Sequence, residues 1–128
     1  MKRTLSNPRS VLVVDDDRSM LRSLKRLLRQ HGFDTTLFES ASALLGHADF
    51  GSAFCIVLDI NLDGQSGIDL RRQLVDKGIG LPVIYITGND SSANRTAAAK
   101  SGCVAYLTKP FTAKSLIDPI EKMAAAIG

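Results

Sequence analysis

Acidic residues stand where the apolar runs of this chain stop. Val11-Leu12-Val13-Val14 ends at Asp15-Asp16-Asp17, and Phe54-Cys55-Ile56-Val57-Leu58 ends at Asp59. Two further runs end at Thr87 and at Thr108-Lys109-Pro110. Two carboxylates about 4 Å apart repel by ~1 kcal/mol in water and by ~4 kcal/mol at an effective dielectric near 20. Gathering these acids therefore asks for a cation. Lys109 is one candidate. A hard divalent ion such as Mg2+, which often binds through one or two carboxylates plus phosphate oxygens, is the other. Acids around Mg2+ beside a lysine suit phosphoryl transfer: the cations neutralise the equatorial oxygens while a carboxylate attacks in line. Each piece alone says little, since an aspartate after a strand is commonly a solvated loop residue and Thr87 fits an ordinary strand. The information lies in the combination.

These side chains meet only if the runs that carry them lie side by side. The continuous run 11–14 predicts a strand buried on both faces, as in a parallel sheet. Met20, Leu21, Leu24, Leu27 and Leu28 follow at helical spacing, and His31-Gly32 closes that helix. A weaker strand is expected over 33–38, a short serine-capped helix over 40–47 and a third strand over 54–58. Residues 61–67 read as a loop with an Asp63-Gly64 turn. A helix over 68–76 and a strand over 82–86 come next. An alanine-rich helix over 91–100, a strand over 103–107 and a last helix capped by Thr112 complete the pattern. Five strand–helix repeats imply parallel strands with right-handed crossovers. The class is α/β: a doubly wound, flavodoxin-like open sheet of five parallel strands in the order 2-1-3-4-5. Such sheets bind ligands beyond the carboxyl ends of the strands, near the point where strand order reverses. Asp15, Asp16, Asp59, Thr87 and Lys109 all fall at that edge.

Composition agrees with a single folded unit. The chain has 128 residues, 45% hydrophobic and 23% charged, which excludes wholesale disorder and leaves no room for a second domain. Two cysteines, Cys55 and Cys103, cannot make a disulfide scaffold, and on strands two positions apart they are too far from each other to bond. His31 and His47 lack ligand partners nearby in sequence, so a zinc site is not expected. No apolar run reaches about 18 residues, so no membrane span is expected. Residues 1–9 are basic without an apolar core and read as a solvated tail rather than a secretory signal. A cytoplasmic protein with reduced thiols follows as the expectation. The net charge of +3 does not by itself imply nucleic acid.

Over about residues 10–125 the chain resembles the receiver domain of bacterial two-component response regulators. The resemblance rests on Val13-Val14-Asp15-Asp16, on Leu58-Asp59 followed eight residues later by Gly67, on Pro82-Val83-Ile84-Tyr85-Ile86-Thr87-Gly88, and on Tyr106-Leu107-Thr108-Lys109-Pro110-Phe111. It implies that residues 10–128 form a single receiver domain, a phosphorylatable switch and not an enzyme. Asp59 is implied to be the phospho-acceptor. The implied Mg2+ ligands are Asp16 directly, Asp15 mostly through water, Asp59, and the carbonyl of Asn61. Lys109 would pair with phosphoryl oxygens, Thr87 would report the phosphoryl group, and Tyr106 would be an aromatic switch coupled to Thr87. Gly88 would leave room beside the phosphoryl group, and Asn61 and Asn89 would tune dephosphorylation. The implied partners are a sensor histidine kinase or a histidine phosphotransfer protein, and a downstream protein target. In Asp15-Asp16-Asp17 the first two are assigned to the site because they follow the strand directly.

Several features depart from that pattern or add to it. Asp63 stands four residues after Asp59, where the family usually has proline; it reads as a turn acid, or as an extra charge that retunes phosphorylation. Pro119 falls inside the last helix and predicts a kink or a late helix start, which puts pairing of two copies through that face in question. The helix over 91–100 has no large apolar residue and should be locally weak. Arg18, Arg22, Lys25 and Arg29 share one face of the first helix; they form either a solvated face or a dock for an acidic partner surface.

Three other functions compete with a stand-alone switch. A phosphotransfer shuttle or sink, or an isolated receiver fragment of a larger regulator, keeps the same chemistry. An aspartyl-nucleophile phosphatase of the haloacid dehalogenase type needs an acid two residues after the nucleophile, where this chain has Asn61. A flavin or nucleotide module needs a Gly-, Ser- or Thr-rich phosphate loop after the first strand, where this chain has three acids. No DNA-binding helix pair follows the last helix, so output through protein contacts rather than nucleic acid is expected.

Overall fold

The computed structural model describes residues 9–47 and 49–127; the expected tail, residues 1–8 of it, lies outside them. In chain order the elements are β1 (Ser10–Val14), α1 (Arg18–Gln30), β2 (Asp34–Phe38), α2 (Ala41–Leu45), β3 (Ala53–Asp59), β4 (Asn61–Leu62), β5 (Gln65–Ser66), α3 (Gly67–Asp76), β6 (Val83–Thr87), α4 (Ser92–Lys100), β7 (Ala105–Thr108) and α5 (Ala113–Ile127). The five long strands form one parallel sheet in the order β2-β1-β3-β6-β7. This is the expected order, with the strand sequence reversing between β1 and β3.

Each central strand feeds two cores, because successive side chains point to opposite faces. Val11 and Val13 of β1, Cys55 and Val57 of β3, and Ile84 and Ile86 of β6 pack with Leu21, Leu24 and Leu28 of α1 and Leu116, Ile117 and Ile120 of α5. Leu12 and Val14, Ile56 and Leu58, and Val83 and Tyr85 pack on the other face with Leu44 of α2, Leu70 and Leu74 of α3, and Ala98 of α4. A run with no polar alternation is what two covered faces require. Among the described residues no helix is long and apolar enough to cross a membrane.

Several boundaries differ from the expectations, each for a local reason. Residues 61–67 are not a plain loop: Asn61 pairs with Ser66 and Leu62 with Gln65 as a small antiparallel hairpin, turned at Gly64 with φ +80°. Strands of two residues are too short to show any hydrophobic period. The last strand begins at Ala105, not at Cys103, because Gly102 (φ +79°) closes α4 and the chain turns before pairing begins. The last helix does not start late. Ser115 N–H donates to Thr112 Oγ1 at 3.2 Å, which caps the start, and α5 continues through Pro119. Burial of Leu116, Ile117 and Ile120 offsets the ~3 kcal/mol that an interior proline costs. The helix over 92–100 buries only Ala98, as its composition implied. Cys55 and Cys103 are both free.

Candidate functional site

The sheet delivers its chemistry from the last residue of each strand and the first residue beyond. Asp59 ends β3 and Thr87 ends β6, and both are buried. Asp15 follows β1 directly and is also fully buried. Lys109 follows β7, and its backbone N–H donates to the Thr87 carbonyl at 2.7 Å, which ties the two strand ends together. The Lys109-Pro110 peptide is cis.

Asp15, Asp16 and Asp59 each place a carboxylate oxygen within 4.8 Å of the other two. Asp17 turns away. It caps α1, accepting from the N–H groups of Ser19 at 2.9 Å and Met20 at 3.3 Å, so the site takes the first two aspartates of the triplet. Lys109 Nζ donates to Asp15 Oδ2 at 2.8 Å and to Asp59 Oδ2 at 3.1 Å. The remaining oxygens of these buried acids are also used: Asp15 Oδ1 accepts from Asp17 N–H and Asp59 Oδ1 from Asn61 N–H, both at 2.9 Å. Asp16 is exposed and makes no ion pair among the described residues.

Burial pushes the Asp59 carboxyl above its ordinary range; the Asn61 N–H and Lys109 work against that rise, and the Asp15 charge adds to it. For Lys109, burial pulls the ammonium down, but its bonds and proximity to Asp15 and Asp59 outweigh burial and raise it. The lysine is thus held charged between two acids.

Thr87 Oγ1 donates to the side-chain oxygen of Asn61 at 2.6 Å and accepts from Asn89 N–H at 3.0 Å. The resemblance implies a metal-binding carbonyl and a dephosphorylation-tuning position for Asn61; its side-chain link to Thr87, a residue 26 positions away, carries no local signal. Tyr106 does not reach Thr87 here. Its ring is half-exposed, its hydroxyl donates to Asp90 Oδ1 at 3.0 Å, and the Arg95 guanidinium lies 5.0 Å from its centroid. Arg95 also holds both Asp90 oxygens, at 2.8 and 2.9 Å. Neither Asp90 nor Arg95 stands out by spacing.

Two glycines shape the rim. A Cβ on Gly67 would overlap the Asp59 carbonyl oxygen, so the chain behind Asp59 accepts only glycine. A Cβ on Gly88 would meet Lys109 Cδ no closer than 4.0 Å, leaving space beside the lysine. The open side is a cleft of about 500 Å3 lined by Asp16, Asn61, Asp63, Gln65 and Asn94 among others. Asp63 is exposed on its hairpin and stands outside the cluster of three carboxylates.

Residues 11–121 match the response regulator receiver domain family. The chain belongs to that family. As a receiver domain it is similar to the response regulator protein TodT of Pseudomonas putida, with 34% identity over 119 residues, 92% of this chain and 52% of TodT. It is 39% identical over 110 residues to nodulation protein W of Bradyrhizobium diazoefficiens, covering 86% of this chain and 48% of that protein. This receiver domain thus spans about half the length of the curated relatives it matches. Among solved structures, a CheY-like receiver domain protein from Methanospirillum hungatei superposes with a TM-score of 0.84 at 25% identity, over 94% of this chain and 96% of that one. The response regulator StyR superposes with a TM-score of 0.82 at 38% identity, over 91% of this chain and 59% of StyR.

Proposed function

We propose that this receiver accepts a phosphoryl group on Asp59 from the phosphohistidine of a partner protein in the cytoplasm, and changes its protein contacts in response. A carboxylate oxygen of Asp59 attacks phosphorus, the phosphorus–nitrogen bond breaks, and the imidazole leaves with the electron pair and takes a proton from water. The product is an acyl phosphate. The observation that carries this reading is Lys109 Nζ bridging Asp15 and Asp59 at 2.8 and 3.1 Å while Asp16 faces the open cleft.

The donor set suits a hard cation. Three carboxylates converge within 4.8 Å and only oxygen atoms are offered, which fits Mg2+ and not a soft metal. Asp15, Asp16 and Asp59, with the Asn61 carbonyl, would hold it; when bound, it neutralises phosphoryl charge. Lys109, bonded to Asp15 and Asp59, supplies a fixed positive charge beside them. Thr87, once released from Asn61, has a hydroxyl to donate to a phosphoryl oxygen. Tyr106 moving inward behind it would carry the change to the α4–β7 surface.

The chemistry is a single modification rather than turnover of a substrate, so the protein is proposed to be a switch and not an enzyme. For the donor, the exposed Arg18, Arg22, Lys25 and Arg29 of α1 favour an acidic face on a histidine kinase or histidine phosphotransfer protein. Reversing those charges should slow transfer from the partner and leave uptake from a small phosphodonor unchanged. The test of the reading itself is incubation with acetyl phosphate and Mg2+ followed by intact mass. One added phosphoryl group is expected on the wild type, none on Asp59→Asn, and little without Mg2+. No addition under any condition would refute it.

A further inference from the structure

A second cleft lies between α3, the loop after it and the last turn of α4, and among the described residues none of the acidic site lines it. Its volume is about 570 Å3, within the ~300–1,000 Å3 typical of ligand pockets. Arg71, Arg72 and Lys100 surround an apolar surface made by Ile68, Val75 and Ala97, and no acid lines it among the described residues. Val75 is 47% exposed, although Ile68, Leu70 and Leu74 of the same helix are buried. An exposed valine in a cleft whose charged lining residues are all basic suits an acidic partner.

The wall of this cleft is braced. Arg71 Nη1 donates to the carbonyl of Ser101, the residue that ends α4, and Nη2 donates to the Leu81 carbonyl at 3.4 Å. The buried Tyr85 hydroxyl bonds Ser101 Oγ at 2.8 Å. Arg71 is therefore committed to holding α3 against α4, which keeps the cleft preformed. The other two cations are available. Arg72 touches Asp69 at 3.2 Å in an exposed pair of little strength. Lys100 makes no ion pair among the described residues. Among the described residues nothing aromatic lines the cleft, so a nucleobase would have no ring there to stack on.

We propose that this cleft docks an acidic segment of a partner protein, with carboxylates on Arg72 and Lys100 and an aliphatic side chain over Val75 and Ala97. The proposal does not depend on phosphorylation of Asp59.

The test is an amide-shift titration of the isotope-labelled full chain with a capped Glu-Glu-Leu-Leu-Glu-Glu peptide, and with its Gln-for-Glu counterpart. Saturable shifts are expected in residues 68–75 and 97–101, at least tenfold weaker for the Gln peptide and weakening as salt rises. The double variant Arg72→Gln, Lys100→Gln should bind at least tenfold less tightly, and Val75→Ser several-fold less. All three residues are exposed, so an unchanged amide spectrum elsewhere shows that the variants fold. Shifts centred on the basic face of α1, equal binding of the Gln peptide, insensitivity to the substitutions, or tighter binding of ATP at the same residues would each overturn the proposal.

Discussion

The Thr87 hydroxyl gives its one proton to Oδ1 of Asn61, at 2.6 Å. A hydroxyl that reports a phosphoryl group must first give up that bond. Asn61 is also bound through its backbone N–H to Asp59 Oδ1, so one residue connects Asp59 to Thr87, the proposed acceptor and its proposed reporter. A net hydrogen bond is worth about 0.5–1.5 kcal/mol. Asn61→Ala should therefore favour the state loaded with a beryllium fluoride phosphoryl mimic by roughly 2- to 12-fold. Titration followed by the Thr87 methyl resonance would measure it. Unchanged mimic affinity would show that the bond does not oppose switching.

Burial of Asp59 raises its pKa in the folded chain from an ordinary value near 3.8. An acid raised by folding stabilises the fold below its unfolded pKa, and that stability is lost as pH rises through the raised folded value. Asp59→Asn should accordingly be more stable than the wild type at pH 7. The gap should close as pH falls below 4. Thermal melts of both proteins across pH 3–7 would check the sign; a variant less stable at neutral pH contradicts it.

Lys109 is the only cation bonded to Asp15 and Asp59 among the described residues. Removing one partner of a buried pair costs about 3–5 kcal/mol, because the other is left as an uncompensated charge. Lys109→Met should show a loss of that order in urea unfolding. Adding Asp59→Asn to it should recover part of the loss, since one of the two stranded charges disappears. Additive losses in the double variant would speak against a shared charge balance.

Arg95 holds Asp90, and Asp90 holds the Tyr106 hydroxyl. This exposed clamp biases the ring outward. Arg95→Ala should increase the inward population of Tyr106 by less than about fivefold, in keeping with the weakness of exposed pairs. Ring resonances of Tyr106 with and without the phosphoryl mimic would report it. Amide hydrogen exchange should be faster in α4, which buries only Ala98, than in β1.

Much of the site could be read from residue order alone, and the reason is periodicity. Val11-Leu12-Val13-Val14 and Phe54-Cys55-Ile56-Val57-Leu58 are unbroken because both faces of their strands are covered, so their ends locate Asp15 and Asp59 without further information. The hairpin over 61–66 escaped because two-residue strands have no period. The partners of Asn61 and of Tyr106 escaped because they lie across space, on groups whose rotamers only the packed structure determines. Spacing marks Gly67, but the reason for glycine there, the closeness of the Asp59 carbonyl, exists only in the folded chain.

Asp59 is the residue proposed to take the phosphoryl group. After loading with acetyl phosphate and Mg2+, reduction with borotritide converts an acyl phosphate to a labelled alcohol, and peptide mapping then locates it. The label is predicted in the peptide containing Asp59 and nowhere else. Label on Asp15 or Asp16, with Asp59 unmodified, would contradict the account.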